Sequence, residues 1–138
     1  MDKRQGFTLV ELVVVVMILG ILAAVAAPKL LGTSGTATDN GLRQTLGVVR
    51  DAIERYAAEN GGKFPGTDAA TFKTTLEPYL RGKFPTCPVG ANKNANVAYG
   101  NSVVGGTEGW RFNSTTGEFI VNSTAADNGS PTTAYNLY

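Results

Sequence analysis

Of the side chains that could do chemistry in this 138-residue chain, Glu11 stands in the least expected place. It lies inside the apolar run GFTLVELVVVVMILGILAAVAAPK, residues 6 to 29. A carboxylate at the centre of a lipid-embedded helix costs roughly 2.5–3.5 kcal/mol, and less near the helix end. The rest of the chemical inventory is sparse. There is no His, which removes the commonest general base and the commonest transition-metal ligand together. Cys87 is the lone cysteine, held in FPTCPVG between two prolines, so no disulfide can form within the chain. Its context favours a small buried hydrophobe, with an intermolecular bridge or a reactive thiol as the alternatives. The acids are spread singly, no convergent set of titratable groups is visible, and the chain is expected not to be an enzyme.

The elements that must position these residues begin with a basic start, MDKRQG, carrying Lys3 and Arg4. From Phe7 to Ala27 only Thr8 and Glu11 are polar. As a helix this stretch spans about 30 Å, the thickness of a hydrocarbon core. The positive start predicts a cytoplasmic N-terminus and an external C-terminal part. Three readings compete. One is a secretory signal peptide cut near Ala26, since AAVAAP offers small residues at the right spacing, which would leave a secreted binding protein. The second is a plain single-pass anchor. Neither gives Glu11 a reason to be charged.

The third reading does. GFTLVEL resembles the processing site of type IV prepilins and of the pseudopilins of type II secretion systems. The resemblance implies cleavage between Gly6 and Phe7 by a membrane prepilin peptidase, N-methylation of Phe7, and an assembly role for Glu11. The new α-amine of Phe7 and the Glu11 carboxylate of a neighbouring subunit would compensate each other in low dielectric and fix the axial register of sliding apolar helices. Gly20 and Pro28 match the family's glycine and proline around a segment able to lose helical hydrogen bonds, giving the helix flexibility. Gly costs about 1 kcal/mol and Pro about 3 kcal/mol relative to Ala in a helix interior. Close packing of membrane helices for Gly20, and termination of the span for Pro28, are the alternatives.

Beyond residue 31 the likeness is one of layout. GTSGTATDNG, residues 32 to 41, is poor helix material and predicts a break or a frayed section. Helix returns in LRQTLGVVRDAIERYAAEN, where Leu42, Leu46, Val49, Ile53 and Tyr56 form one apolar face. Arg50–Glu54, Asp51–Arg55 and Arg55–Glu59 are i,i+4 pairs on the other side. Asn60 to Gly62 stops this helix. A short helix follows in TDAATFKTTLEPYL, capped by Thr67 or Asp68, with Phe72, Leu76 and Leu80 inward. Short strands are expected at 97–100, 109–113 and 118–122. The last two read as a hairpin that alternates Trp110 and Phe112 against Phe119 and Val121. The fold class is therefore α+β and pilin-like: a long N-terminal hydrophobic helix, with a break or a frayed section near 32–41 as the expectation, packed on a small antiparallel β-sheet. The implied layout is a leader at 1–6, a transmembrane and filament-core helix at 7–31, and a periplasmic or extracellular globular domain at 32–138.

Twelve Lys and Arg against eleven Asp and Glu give a net charge of +1, with no basic block that would indicate nucleic-acid binding. Many pilins close their C-terminal loop with a disulfide, which Cys87 alone cannot do. In its size and in ENGGKFP after the helix the globular part resembles the major pseudopilins of type II secretion systems, and this resemblance implies such a subunit, with a type IV pilus pilin (adhesion, motility or DNA uptake) as the alternative. The partners implied are copies of itself, a prepilin peptidase, an inner-membrane assembly platform with its ATPase, and minor pseudopilins or pilins. No cofactor is indicated except calcium, which major pseudopilins often hold in the C-terminal loop. Asp127 is the weak candidate here, with Asn128 and Ser130 as helpers. Asn113, Asn122 and Asn128 each open an N-x-S/T triplet, a weak signal for modification.

Overall fold

The computed structural model describes residues 7–101, 103–128 and 132–138, with backbone alone at 30–32. The leader residues Lys3, Arg4 and Gly6, and Ser130 of the tail, lie outside the described residues. Among the described residues two α-helices and three strands follow in the order α1 (Leu9–Glu59), α2 (Ala69–Leu76), β1 (Val97–Tyr99), β2 (Trp110–Phe112) and β3 (Phe119–Val121), with short 3-10 turns at Glu77–Tyr79 and Tyr135–Leu137. The chain divides into two compact units, the residues up to Ser34 and Gly35–Tyr138.

Helix α1 corrects the expected break, because helical hydrogen bonding continues through residues 32–41. Gly35 and Asp39 lie one turn apart on this stretch and receive the C-terminal segment. A Cβ at Gly35 would stand 2.7 Å from Asn128 Cβ, and both carboxylate oxygens of Asp39 accept hydrogen bonds from that segment. The small and polar residues that lower helix propensity here are those that let another part of the chain approach. Tertiary contact outweighs propensity. Pro28 also lies inside the helix and does not end it.

Leu42, Leu46, Val49 and Ile53 are buried as one face, matching the 4-3-4 spacing. The helix stops where Asn60, Gly61 and Gly62 do, with Gly61 at φ 65° and Gly62 at φ 82° and Gly62 N donating to Ala57 O at 2.7 Å. Arg50 departs from its expected pairing with Glu54. Its guanidinium donates to Phe119 O from Nε at 3.0 Å and Nη2 at 2.9 Å, and also to Tyr138 O. A carbonyl at the edge of β3 otherwise left unpaired near the core outweighs a solvated i,i+4 ion pair worth a few tenths of a kcal/mol.

Asp68 caps α2 through a capping box with Thr71: Asp68 Oδ1 accepts from Ala70 N and Thr71 N, and Thr71 Oγ1 accepts from Asp68 N. That cap aims Phe72 and Leu76 inward, where both are fully buried. The hairpin forms in the expected register, with Trp110 opposite Val121 and Phe112 opposite Phe119, antiparallel. Strand β1 joins β2 in parallel, Val97 opposite Trp110, so the three-stranded sheet is mixed. Residues 100–109 connect β1 to β2.

The core cluster combines the α1 face, Phe72, Phe84, Cys87, Trp110, Phe112 and Phe119. Phe72 lies at its centre, 4.4 Å from Phe112 and 6.2 Å from Phe119 between ring centroids. Trp110 stacks on Phe119 at 5.2 Å and donates its indole N–H to Pro85 O at 2.9 Å. Burying each such side chain contributes about 1.5–3 kcal/mol.

The glycines of α1 should separate experimentally. A Cβ at Gly47 meets nothing within 4 Å, so Gly47→Ala is expected to stabilise by about 1 kcal/mol through helix propensity alone. Gly35→Ala gains the same propensity but pushes against Asn128, a cost of about 1–3 kcal/mol. Urea unfolding should therefore move the two midpoints in opposite directions. Equal stabilisation would remove the close approach of the C-terminal segment at Gly35.

Candidate functional site

The described residues of the first unit show what its sequence can do. Phe7 and every described side chain of α1 up to Lys29 are exposed; Phe7 is 81% exposed and Val25 62%. This stretch is long and apolar enough to cross a membrane. Among the described residues of its own unit nothing covers it, and an apolar helical surface of that size is stable only against lipid or other apolar helices.

Glu11 sits in the first turn of α1. Its Oε2 accepts from Thr8 N at 3.2 Å and from Thr8 Oγ1 at 3.1 Å, while Glu11 N donates to Thr8 Oγ1 at 3.2 Å. The reciprocal pattern is a capping box, Thr8 at the N-cap and Glu11 three residues on. This is a local reason for an acid at position 11 that the sequence reading missed, although T-x-x-E before an apolar run is its known signature. A negative charge here also complements the positive end of the helix dipole. At Gly20 a Cβ would meet nothing within 4 Å, so the packing of its own chain does not demand glycine there.

At the other end of the chain the C-terminal segment folds back on itself and then on α1. Tyr135 N donates to Ala125 O at 3.0 Å, Asn136 N to Ser123 O at 3.1 Å and Asp127 N to Thr133 O at 2.9 Å. Asp39 of α1 is buried and receives three hydrogen bonds. Its Oδ1 accepts from Tyr135 Oη at 2.8 Å and from Asn128 Nδ2 at 3.1 Å, and its Oδ2 accepts from Asn128 N at 3.0 Å. Burial, followed by the hydrogen bond to Asp39, pushes the Tyr135 phenol up to about 12. Asp127, with a buried carboxylate, faces Arg43 Nη2 at 3.6 Å. Arg43 also donates to Tyr138 Oη at 2.7 Å and lies 4.5 Å over the Tyr138 ring.

Calcium takes six to eight oxygen ligands and commonly more than one carboxylate. Among the described residues no group of three or more His, Cys, Asp or Glu could hold a metal. Asp127 is matched to a guanidinium, and both oxygens of Asp39 are turned to N–H and O–H donors. These residues do not fit the ion.

The three Asn of the N-x-S/T triplets are engaged. Asn113 and Asn122 are buried. Asn113 Oδ1 accepts from Thr115 N and Thr116 N. Asn122 Nδ2 donates to Gly105 O and Glu108 O, and Asn128 Nδ2 to Asp39 and Tyr135. Cys87 is buried, with its thiol directed at Val89 O at 3.5 Å, and burial pushes that thiol up. This is the setting of a packing residue rather than a reactive one. Asp39, Arg43, Arg50 and Tyr135 carried no signal as a group in the sequence, since their association is between residues far apart in the chain.

A protein-family model, the prokaryotic N-terminal methylation motif, matches residues 1–27. The chain is 32% identical over 85 residues to a type II secretion system core protein G of Klebsiella pneumoniae, spanning 59% of this chain and 60% of that protein. It is 40% identical over 78 residues to the protein of the same name from Vibrio cholerae serotype O1, spanning 56% of this chain and 53% of that protein. A fimbrial protein EcpB of Eikenella corrodens is 41% identical over 61 residues, 44% of this chain and 38% of the relative. The chain thus spans no more than about three fifths of the length of these curated relatives. No solved structure matches it. The chain therefore carries the prokaryotic N-terminal methylation motif and is similar over part of its length to type II secretion system core proteins G and to a fimbrial protein.

Proposed function

We propose that this protein is a structural subunit of a type IV pilus-like filament, the major pseudopilin of a type II protein secretion system. The observation that carries the reading is an uncovered apolar helix in a chain that has the methylation motif and relatives named as core protein G. In this reading a prepilin peptidase cuts between Gly6 and Phe7 and methylates Phe7. The helix is held in the inner membrane as a single pass with its N-terminus cytoplasmic and the globular unit periplasmic. An assembly platform with its ATPase then draws subunits into a homopolymer together with minor pseudopilins. The role is mechanical, and catalysis is not part of it.

Glu11 has two jobs under this reading. Within the subunit it closes the capping box with Thr8. Between subunits its charge compensates the α-amine of Phe7 of a neighbour and sets the axial register. Pro28, which removes a helical hydrogen bond without ending α1, and Gly20 weaken the segment between them and let the filament stretch. A type IV pilus pilin is the second reading, favoured by the likeness to the Eikenella fimbrial protein. A secreted protein cut near Ala26 is disfavoured by the motif match across residues 1–27.

The processing step is tested by the intact mass and N-terminal residue of the protein from its native membrane. N-methylated Phe7 is expected; an N-terminus at Ala27 would end the filament reading. The two jobs of Glu11 separate in Glu11→Gln. Gln also serves a capping box, so helix content should stay unchanged, while loss of the charge should abolish filament formation. Filaments of normal yield from Glu11→Gln would leave Glu11 as a helix cap only.

A further inference from the structure

Among the described residues, Asp39, Arg43 and Arg50 of α1 contact the C-terminal segment. Successive residues of an α-helix turn by 100°, so spacings of 4 and 7 place these three in one stripe within about 40° of arc. The stripe runs beside the buried row of Leu42, Leu46 and Val49. Each member takes part of residues 123–128 or 132–138, or of the β3 edge beside them: Asp39 holds Asn128 and Tyr135, Arg43 holds Asp127 and Tyr138, and Arg50 holds Phe119 O and Tyr138 O.

We propose that this stripe is a metal-free latch, closing the C-terminal segment on α1 so that the globular unit folds without calcium. The charges at the loop are already matched within the chain. Asp127 is the acid that a cation would need, and its carboxylate is buried beside a guanidinium. A divalent cation there would meet Arg43 at close range and would gain no second carboxylate, because Asp39 is committed to three donors. Gly35 belongs to the same device, since only a residue without Cβ lets Asn128 reach Asp39 at these distances. With one Cys in the chain, a disulfide cannot close the loop either. The latch concerns residues Gly35–Tyr138 alone and stands apart from the filament reading.

The test uses the full chain in detergent micelles, with thermal unfolding followed by the near-ultraviolet circular dichroism of the core aromatics. Any ion that binds the folded state alone must raise the midpoint. Melts in a chelator and in calcium at about 5 mM, above the affinity range of extracellular calcium modules, are expected to coincide to within about 1 °C. Tyr135→Phe should lower the midpoint by about 5 °C or more in both buffers. Arg43→Met and Asp127→Asn should each lower it, and the double variant should lose clearly less than their sum, as residues in contact do. A midpoint raised several degrees by calcium in the wild-type chain, and no longer raised in Asp127→Asn, would overturn the proposal. So would a Tyr135→Phe variant that melts with the wild type.

Discussion

A carboxylate taken out of water has to be surrounded by donors, and Asp39 is such a group in the middle of a helix. Its three hydrogen bonds all come from residues near the other end of the chain. Leaving a charged group unsatisfied costs more than the 1–3 kcal/mol typical of a neutral buried group, so the position of Asn128 and Tyr135 is tied to that of α1. The tie runs both ways. Residues 32–41 have little helical tendency of their own, and the contact of the returning segment at Gly35 and Asp39 is what makes helix the better state for them. The same segment brings Tyr138 to Arg43 and Arg50, so the edge of β3 is covered rather than left open to pair with another chain.

Helix α1 carries two different surfaces along its length. Up to Lys29 its described side chains are exposed on every face, and from residue 42 onward Leu42, Leu46, Val49 and Ile53 form one buried face while the exposed faces are mostly polar, with Val48 an apolar exception. The first pattern belongs to a helix surrounded by apolar matter on all sides, the second to a helix with water on one side. Glu11 sits at the start of the first pattern, where the four unpaired N–H groups of a helix end are themselves costly in lipid. Its capping box with Thr8 answers part of that cost within the chain. The capping contact uses Oε2, so a helix-capping acid and an acid that meets a neighbour's amine are compatible uses of the same carboxylate.

Local rules written into the sequence carried much of the fold. The 4-3-4 row from Leu42 to Ile53, the stop at Asn60–Gly62, the Asp68 cap and the Trp110/Phe112 against Phe119/Val121 hairpin all depend on neighbours within a few residues, and each is present. What the sequence hid is long-range. Strand β1 pairs in parallel with β2 across residues 100–109, and no turn chemistry announces that. Arg50 looked like one half of a helix-surface ion pair, and only the arrival of Phe119 and Tyr138 shows that it serves the sheet edge. For the candidate site the division is the same. The apolar span and the methylation motif over residues 1–27 could be read directly. The capping role of Glu11 is written in T-x-x-E, whereas the association of Asp39 with Tyr135 has no local signature.

The hidden contacts also explain the composition of the tail. A loop that must close on a helix needs either a covalent bridge, a cation that gathers several oxygens, or side chains whose donors and acceptors match directly. The first needs a second cysteine and the second needs more acids than Asp127 offers after Glu118. The third needs a buried acid on the helix, a phenol and an amide to satisfy it, and a cation to hold Asp127, which are Asp39, Tyr135, Asn128 and Arg43. Direct matching has a geometric requirement that the other two relax: every partner must lie within hydrogen-bond distance at once. Gly35 meets that requirement by clearing the approach, at the cost of about 1 kcal/mol of helix propensity. The glycine-rich, polar stretch that reads as a broken helix is therefore the half of the closure that α1 contributes.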